Sequence, residues 1–546
     1  MKKNLLLLLT LFISIVGYAQ TSVTGRVTSA EDGTPVLLTV SIKGTSRGAY
    51  SNPEGYYSID IPAGATNPVL LFSGIGYVTQ EIPVNNRSVI NVTIESSAFE
   101  IEEVVFTGYA PTTKKAFTGS AASITTEKIT NKFEPNPIKA LEGSIAGLQM
   151  NTASGQPGAP STVYVRGRSS LNSGTQPLYV IDGLPFETGT QGMRSNEGQQ
   201  LSPLATLNSS DIESITVLKD ATATSIYGSR AANGVIVITT KKGKSGELSI
   251  NFNARAGVEI LPNIPNGYLR TDSQKYWELW EESLLNAHQY ASSLSKTSYF
   301  DYYNNAYNLN LPYTKEGARD FLRWYTEVDL VDQGLNVDWL NEVTRSGVIQ
   351  NYTIDIRGGA ADKRSARYYI SFDYMDNKAI VVGKDMTRYS MRFNFDQAPS
   401  KVVSFGLNTN LSYSEINMGA GGGYFSDPIT QSFMQSPVTP VKKDNGSWNF
   451  DTVNGYNPVA QRSELGDKSL AKQYRAIIAP YAQINFNDNL YFLSRAGVDA
   501  YILDEFGYWS FLQPQGNDMR GMGENSYTAN IILTSTNTLN FTKAMG

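Results

Sequence analysis

Apolar and polar residues alternate with a period of two along much of this chain, but the runs change length from region to region. Near the N-terminus they are short. Leu38, Val40 and Ile42 share one face, as do Tyr57, Ile59 and Ile61, and again Ile90, Val92 and Ile94. Turn-forming clusters punctuate them at Glu31-Asp32-Gly33, Asn52-Pro53-Glu54-Gly55 and Pro62-Ala63-Gly64. Strands so spaced predict a small antiparallel β-sandwich over residues 21–97. A mixed pattern follows over 113–245. Asn136 is placed to cap a helix with Pro137 at its first position, Ile138, Leu141 and Ile145 on one face and Gly147 at its end. Strands are expected at Thr162–Arg166, Pro177–Ile181, Asp211–Leu218 and Gly234–Thr240, with a short helix over Asp220–Tyr227.

From residue 246 the alternating runs lengthen to about ten residues, the size expected when one face meets lipid and the other water. They begin with Leu248, Ile250, Phe252, Ala254, Ala256 and Val258. The pattern returns at Tyr352–Ile356, Tyr368–Tyr374, Tyr389–Phe395, Val403–Tyr413, Tyr474–Phe486, Leu490–Ala500 and Ala529–Phe541. Connections Gly359–Ser365, Asp396–Lys401 and Asn487–Asn489 are short. Those over 259–347, Met375–Arg388, Ser414–Gln473 and Tyr501–Ser526 are longer. Short turns on one side and long loops on the other favour a transmembrane barrel over a soluble sandwich.

Composition removes most chemistry. With no cysteine and a single histidine, His288, thiol nucleophiles, disulfides and Cys-ligated zinc are excluded. Gly44-Thr45-Ser46-Arg47-Gly48 has the spacing of a nucleophile elbow, but its flanks read as strand and turn and no nearby base exists, so a hairpin turn is expected. No catalytic residue, metal site or cofactor is assigned. A net charge of −5 is too balanced for a nucleic-acid binder. Tyr276, Trp277 and Trp280 lie on a helical stretch ending near His288; aromatics there stack on sugars or peptide side chains, or pack on neighbouring loops, and packing is favoured.

Lys2 and Lys3, the apolar run Leu5–Val16 and Gly17-Tyr18-Ala19 form an export signal over residues 1–19. The apolar run is too short to span a hydrocarbon core of about 30 Å. Between the sandwich and the mixed unit, residues 98–112 carry a β-forming core, Ile101–Tyr109. Two readings of it stay open: a plain linker, or a peptide that adds as a strand to a partner's sheet edge.

Longer stretches carry a resemblance. The order VTGRVT…DGTPV…VSIKGTSRGAYSNPEGYYSIDIP resembles a carboxypeptidase-regulatory-like domain, a non-catalytic sandwich. Val163–Phe186 and Asp211–Lys244 resemble the plug domain of TonB-dependent receptors, and the whole chain is similar to SusC/RagA-family outer-membrane transporters. The resemblance implies a mainly β protein: sandwich, α/β plug, and the first strands of a large, incomplete barrel over 246–546. It also implies a TonB-contacting stretch in Glu103, Val104, Val105, Phe106, Thr107, Gly108 and Tyr109, where Phe106, Thr107 and Ala110 depart from the usual residues. Implied partners are TonB, a SusD-like surface lipoprotein, outer-membrane lipid and an oligosaccharide or peptide substrate, in the outer membrane of a Gram-negative bacterium. A non-transporting receptor or adhesin is the alternative. An eight-stranded barrel has no room for a plug, so a truncated chain that forms no closed barrel by itself is expected.

Overall fold

The computed structural model describes residues 21–542, apart from 96–103, 107–110, 114–119, 169–173, 189–200, 263–271, 327–333, 361–365, 420–426 and gaps of at most three residues elsewhere. The export signal therefore lies outside the described residues. The chain divides into two compact units.

The first unit contains β1 (Thr21–Ser29), β2 (Thr39–Ile42), β3 (Gly48–Tyr50), β4 (Tyr56–Ile61), β5 (Val69–Ser73), β6 (Gln80–Pro83) and β7 (Val92–Ile94). They form two sheets, ordered β4-β1-β7 and β3-β2-β5-β6. The inward faces meet in one core, where Val40, Ile59 and Ile94 pack with Val27, Leu70 and Phe72. The pairing is antiparallel except that β7 runs parallel to β1, which corrects the all-antiparallel expectation. Gly25 is required there, because a Cβ would stand 1.8 Å from the Ile90 carbonyl oxygen. β2 and β3 pair antiparallel, so the Gly44–Gly48 motif is a hairpin connection; Ser46 itself lies outside the described residues.

Two short strands follow, β8 (Val104–Phe106) and β9 (Pro111–Thr113), paired as a two-stranded sheet.

The second unit begins with an α/β domain. Its strands are β10 (Ala121–Thr125), β11 (Leu148–Thr152), β12 (Ser161–Val165), β13 (Leu178–Ile181), β14 (Leu184–Phe186), β15 (Ile212–Leu218) and β16 (Val235–Thr240). Five of them form a mixed sheet ordered β10-β15-β16-β13-β14, and β11 pairs with β12. β15 and β16 are buried on both faces, as expected of central strands. Asn136 caps as expected, its Oδ1 accepting from the Ile138 amide at 3.1 Å. The helix is shorter than expected, a 3₁₀ turn over Pro137–Leu141, because the chain turns at Gly143 (φ +70°). Of the second expected helix, residues 221–223 lie outside the described residues; a 3₁₀ helix covers Ser225–Ala231, kinked where Gly228 takes φ +65°.

The rest is one antiparallel sheet: β17 (Gly246–Glu259), β18 (Gly347–Gly359), β19 (Arg367–Lys378), β20 (Asp385–Gln397), β21 (Val403–Asn417), β22 (Lys468–Asn485), β23 (Leu490–Trp509) and β24 (Met522–Phe541). They lie side by side in chain order. All eight expected strands form, but several reach further. β19 and β20 extend until only six residues, Ala379–Lys384, connect them, which corrects the expected longer loop and the strictness of the asymmetry. The long insertions after β17 and β21 carry helices that alternation did not reveal, including Tyr299–Ala306, Lys315–Thr326 and Pro428–Met434.

One face of this sheet is apolar and exposed, with Phe252, Phe372, Met391, Leu411 and Leu533 among its residues. Across it runs a row of five tyrosines in direct register, Tyr352, Tyr374, Tyr389, Tyr413 and Tyr474, with neighbouring ring centroids 5.0–6.3 Å apart. One register step toward the long-insertion ends, the same face turns polar at Gln350, Asp376, Thr387, Glu415 and Lys472. Amphipathic rings between an apolar band and a polar rim are what a membrane–water boundary selects.

Candidate functional site

The other face of the sheet is polar, and the α/β domain is seated on it. Alternation dictates this: each residue beside an outward Tyr389, Met391 or Phe393 points the other way, so Arg388, Ser390, Arg392 and Asn394 all face inward and are buried. Charges placed there need partners, and the α/β domain supplies them.

Arg388 donates from Nη1 to three carbonyl oxygens of that domain, Pro135 (3.1 Å), Ala205 (2.9 Å) and Leu207 (2.8 Å). Its Nη2 contacts Asp373 on the neighbouring strand at 3.1 Å. Arg392 stands between two carboxylates of the α/β domain, 3.4 Å from Asp211 and 3.8 Å from Asp182. Local structure fixes both acids. Asp211 ends a turn capped by Asn208, whose Oδ1 accepts from the Ser210 amide at 2.9 Å. Its own Oδ1 accepts from the Tyr369 hydroxyl (2.9 Å) and the Ser371 hydroxyl (2.6 Å) of β19. Asp182 occupies the tight β13–β14 turn at φ +49° and accepts from the Thr240 amide (3.0 Å) and hydroxyl (2.7 Å).

Further along, Arg475 pairs with Asp499 on the sheet, Nε to Oδ1 at 2.8 Å, and its guanidinium covers the Phe186 ring at 3.5 Å. Close packing completes the seat. A Cβ at Gly497 would meet Leu184 at 2.4 Å, and one at Gly158 would meet Ile416 at 2.9 Å. The domain is thus fastened by ionic anchors and fitted apolar contacts. Nothing in this set is arranged to make or break covalent bonds; it is a holding device. Sequence reasoning gave no role to Arg388, Arg392, Asp182 or Asp211. The available signal was arginine at two positions four apart on the face opposite tyrosine, methionine and phenylalanine.

Of the expected coupling residues, Val104, Val105 and Phe106 form β8, which pairs with β9. Glu103, Thr107, Gly108 and Tyr109 lie outside the described residues.

The helical insertion after β17 holds the remaining candidates. Trp277 is buried with Phe300 and Phe321, whereas Trp280 is exposed. His288 stacks on Tyr313 with centroids 3.7 Å apart, and its Nδ1 lies 2.6 Å from Asp301. Burial alone would raise the Asp301 pKa, but hydrogen bonds from the Ser298 hydroxyl and amide, Tyr313 and His288 outweigh it and hold the pKa at about 2. A carboxylate depressed on folding contributes stability that is full above its unfolded pKa of about 3.9 and is lost as pH falls through the folded value. Acidification from about pH 4 to pH 2 should therefore loosen this insertion. In the intact protein, near-UV circular dichroism should change across that window and the change should shrink in Asp301→Asn. Identical titrations of the two proteins would refute the assignment.

Among the described residues no group of three or more His, Cys, Asp or Glu is placed to hold a metal ion. No helix among them is long and apolar enough to cross a membrane, which says nothing of strands.

Comparison with known proteins agrees with this geometry. Residues 23–106 match the CarboxypepD_reg-like domain and residues 113–235 the TonB-dependent receptor plug domain. The TonB-dependent receptor P3 of Formosa agariphila is 30% identical over 509 residues, 91% of this chain and 44% of that protein. The TonB-dependent receptor SusC of Bacteroides thetaiotaomicron is 30% identical over 469 residues, 84% of this chain and 40% of that protein. In structure, the chain resembles the RagAB peptide importer in its closed-closed state, with TM-score 0.59 and 24% identity over 79% of this chain and 46% of that one. The chain spans less than half the length of each of these relatives.

Proposed function

Because this chain belongs to the SusC/RagA family of TonB-dependent receptors, we propose that the whole protein is an outer-membrane transporter whose lumen is closed by the α/β plug and opened by TonB. The observation that carries this reading is the two-faced sheet, apolar with a tyrosine row outside and charged inside, with the plug held on the charged face by Arg388 and Arg392. A receptor that only binds at its surface has no use for a plug anchored by a few reversible contacts. A transporter does, because the closure must hold at rest and yield under load.

The coupling element in this reading is Glu103–Tyr109. It has extended, β-forming character and lies between two folded units, which suits strand addition to a partner's sheet. Its pairing of β8 with β9 would have to open first. The substrate is an oligosaccharide or a peptide, taken from a SusD-like surface lipoprotein. Likeness to SusC and to a peptide importer supports that pair of classes. The protein acts by binding and gated passage, after export and removal of residues 1–19.

Deletion of Ile101–Tyr109 from the full-length protein should abolish uptake while surface binding of substrate stays within about twofold of the parent, since the mouth of the barrel is untouched. Uptake at the parental rate by the deletion variant, at equal surface amounts, would overturn the coupling role.

A further inference from the structure

The plug fits the sheet closely at Gly497 and Gly158, but not along its whole flank. Between β12, β13 and β14 of the plug and the inward side chains Ile532 and Thr534 of β24 lies a cavity of about 450 Å³. Their neighbours Ile531 and Leu533 point the other way and are exposed. Pro160, Pro177 and Pro185 form part of the lining. A proline ring fixes φ and carries no N–H, so these walls hold their shape and offer no backbone donor.

The strong donors come from two side chains. Arg230 follows the kink at Gly228, and buried Tyr227 and Ala231 tie its turn to the plug core while Arg230 itself lines the cavity. Gln176 accepts from the Val163 amide through Oε1 at 3.2 Å, which leaves its Nε2 without an acceptor among the described residues. Asn233 staples the two loops together, its Nδ2 donating to the carbonyls of Gly174 (2.7 Å) and Gln176 (3.3 Å). Ser161, Thr162 and Thr534 add hydroxyls. No aspartate or glutamate is among the described lining residues, and Arg230 meets no carboxylate among the described residues. A fixed cation beside a spare amide donor, with no acid, is a site short of an anion.

We propose that this cavity is a carboxylate-binding site on the flank of the plug, where Arg230 takes the carboxylate through its guanidinium fork and the Gln176 amide adds a donor. A guanidinium meets a carboxylate with two parallel charge-assisted hydrogen bonds, which a neutral hydroxyl cannot return. The volume lies toward the small end of the range for ligand sites, roughly 300–1,000 Å³. A short oligomer fits and a long chain does not. The site rests on the reading of a plugged transporter and narrows its substrate to a peptide with a free C-terminus or an oligosaccharide carrying an acidic sugar. A neutral oligosaccharide leaves the cation unanswered.

Residues 1–546 contain no cysteine, so with any outside them replaced by serine, Thr534→Cys gives the full-length protein one thiol in the cavity. Its rate of modification is compared for two methanethiosulfonates, one ending in sulfonate and one in trimethylammonium. Arg230→Gln should lower the anionic-to-cationic rate ratio at least fivefold, and Arg230→Lys should keep most of it. No reaction with either reagent, or the same ratio in all three proteins, overturns the proposal. A second measurement leaves Arg230 untouched, so no folding defect of its variants can imitate the result. Tri-alanine or digalacturonic acid should slow the modification at least threefold, whereas tri-alanine amide and maltose should not. Protection by tri-alanine alone assigns a peptide carboxylate, by digalacturonic acid alone an acidic sugar, and by both the carboxylate itself. Protection by neither, or equal protection by the solutes without a carboxylate, overturns the site. No readout involves uptake, so failure of the transport reading and failure of this site are separable.

Discussion

Replacing Arg392 by methionine is expected to cost the plug's seat about 3–5 kcal/mol, the penalty for leaving a buried charge without its counterion. The guanidinium serves two carboxylates at once, and all three side chains are nearly sealed from solvent, with 3% exposure for Arg392, 6% for Asp182 and 1% for Asp211. Each acid keeps other hydrogen bonds, Asp182 to Thr240 and Asp211 to Tyr369 and Ser371. Those bonds do not neutralise charge. With the cation gone, two carboxylates would share one dry site, so the plug should shift or loosen rather than stay in register. In the full-length protein this should appear as a lower unfolding midpoint and as sensitivity of cells to hydrophilic antibiotics too large for ordinary porins. Adding Asp182→Asn and Asp211→Asn to Arg392→Met should recover most of the loss, because neutral amides tolerate the site. If Arg392→Met alone is as stable and as impermeable as the parent, the ionic anchor is not what holds the plug.

The same residues show how far this protein is legible from its chain. All eight strands of the large sheet are visible in the sequence because each has one apolar and one polar face, and alternation is the mark of a surface with different solvents on its two sides. The pattern weakens where both faces are buried. β16 opens as a plain apolar run, β15 scatters Glu213, Ser214 and Thr216 among its apolar residues without strict alternation, and β14 is only three residues long. The short connection within Met375–Arg388 is hidden because polar residues continue the pairing beyond the membrane band; Lys378 still pairs with Asp385. The anchors are unreadable for a different reason. Asp182 and Asp211 lie in ordinary-looking turns, and only the fold brings them to Arg392. The helical insertion hides Tyr299–Ala306, a helix rich in tyrosine, a residue that β-propensity assigns to strands, although Ser298 and Asp301 form a capping box at its start.

A disulfide across the first plug strand should separate the two parts of the closure mechanically. β10 is an edge strand bound only to β15, through five residue pairs from Ala121↔Leu218 to Thr125↔Ser214. It follows the coupling segment in the chain, so a pull on Glu103–Tyr109 loads it before any other plug strand. Behind it the chain is fastened better. The Thr126 hydroxyl donates to the carbonyls of Ile212 (2.7 Å) and Glu213 (2.9 Å), Arg255 of the sheet bonds the Thr130 carbonyl, and Arg388 holds that of Pro135. We therefore expect release of β10, with the anchored remainder in place, to open the path. Ser123 and Thr216 lie directly opposite each other with hydroxyl oxygens 3.2 Å apart, close enough for Ser123→Cys and Thr216→Cys to bridge. Residues 1–546 hold no other cysteine, any outside them is first replaced by serine, and the periplasm favours oxidation. The oxidised double variant should bind substrate at the surface normally yet lose at least nine-tenths of its uptake, about 1.4 kcal/mol for each tenfold drop in rate, and a reductant should restore it. Parental uptake by fully cross-linked protein would mean that β10 stays paired during passage and that the plug yields elsewhere.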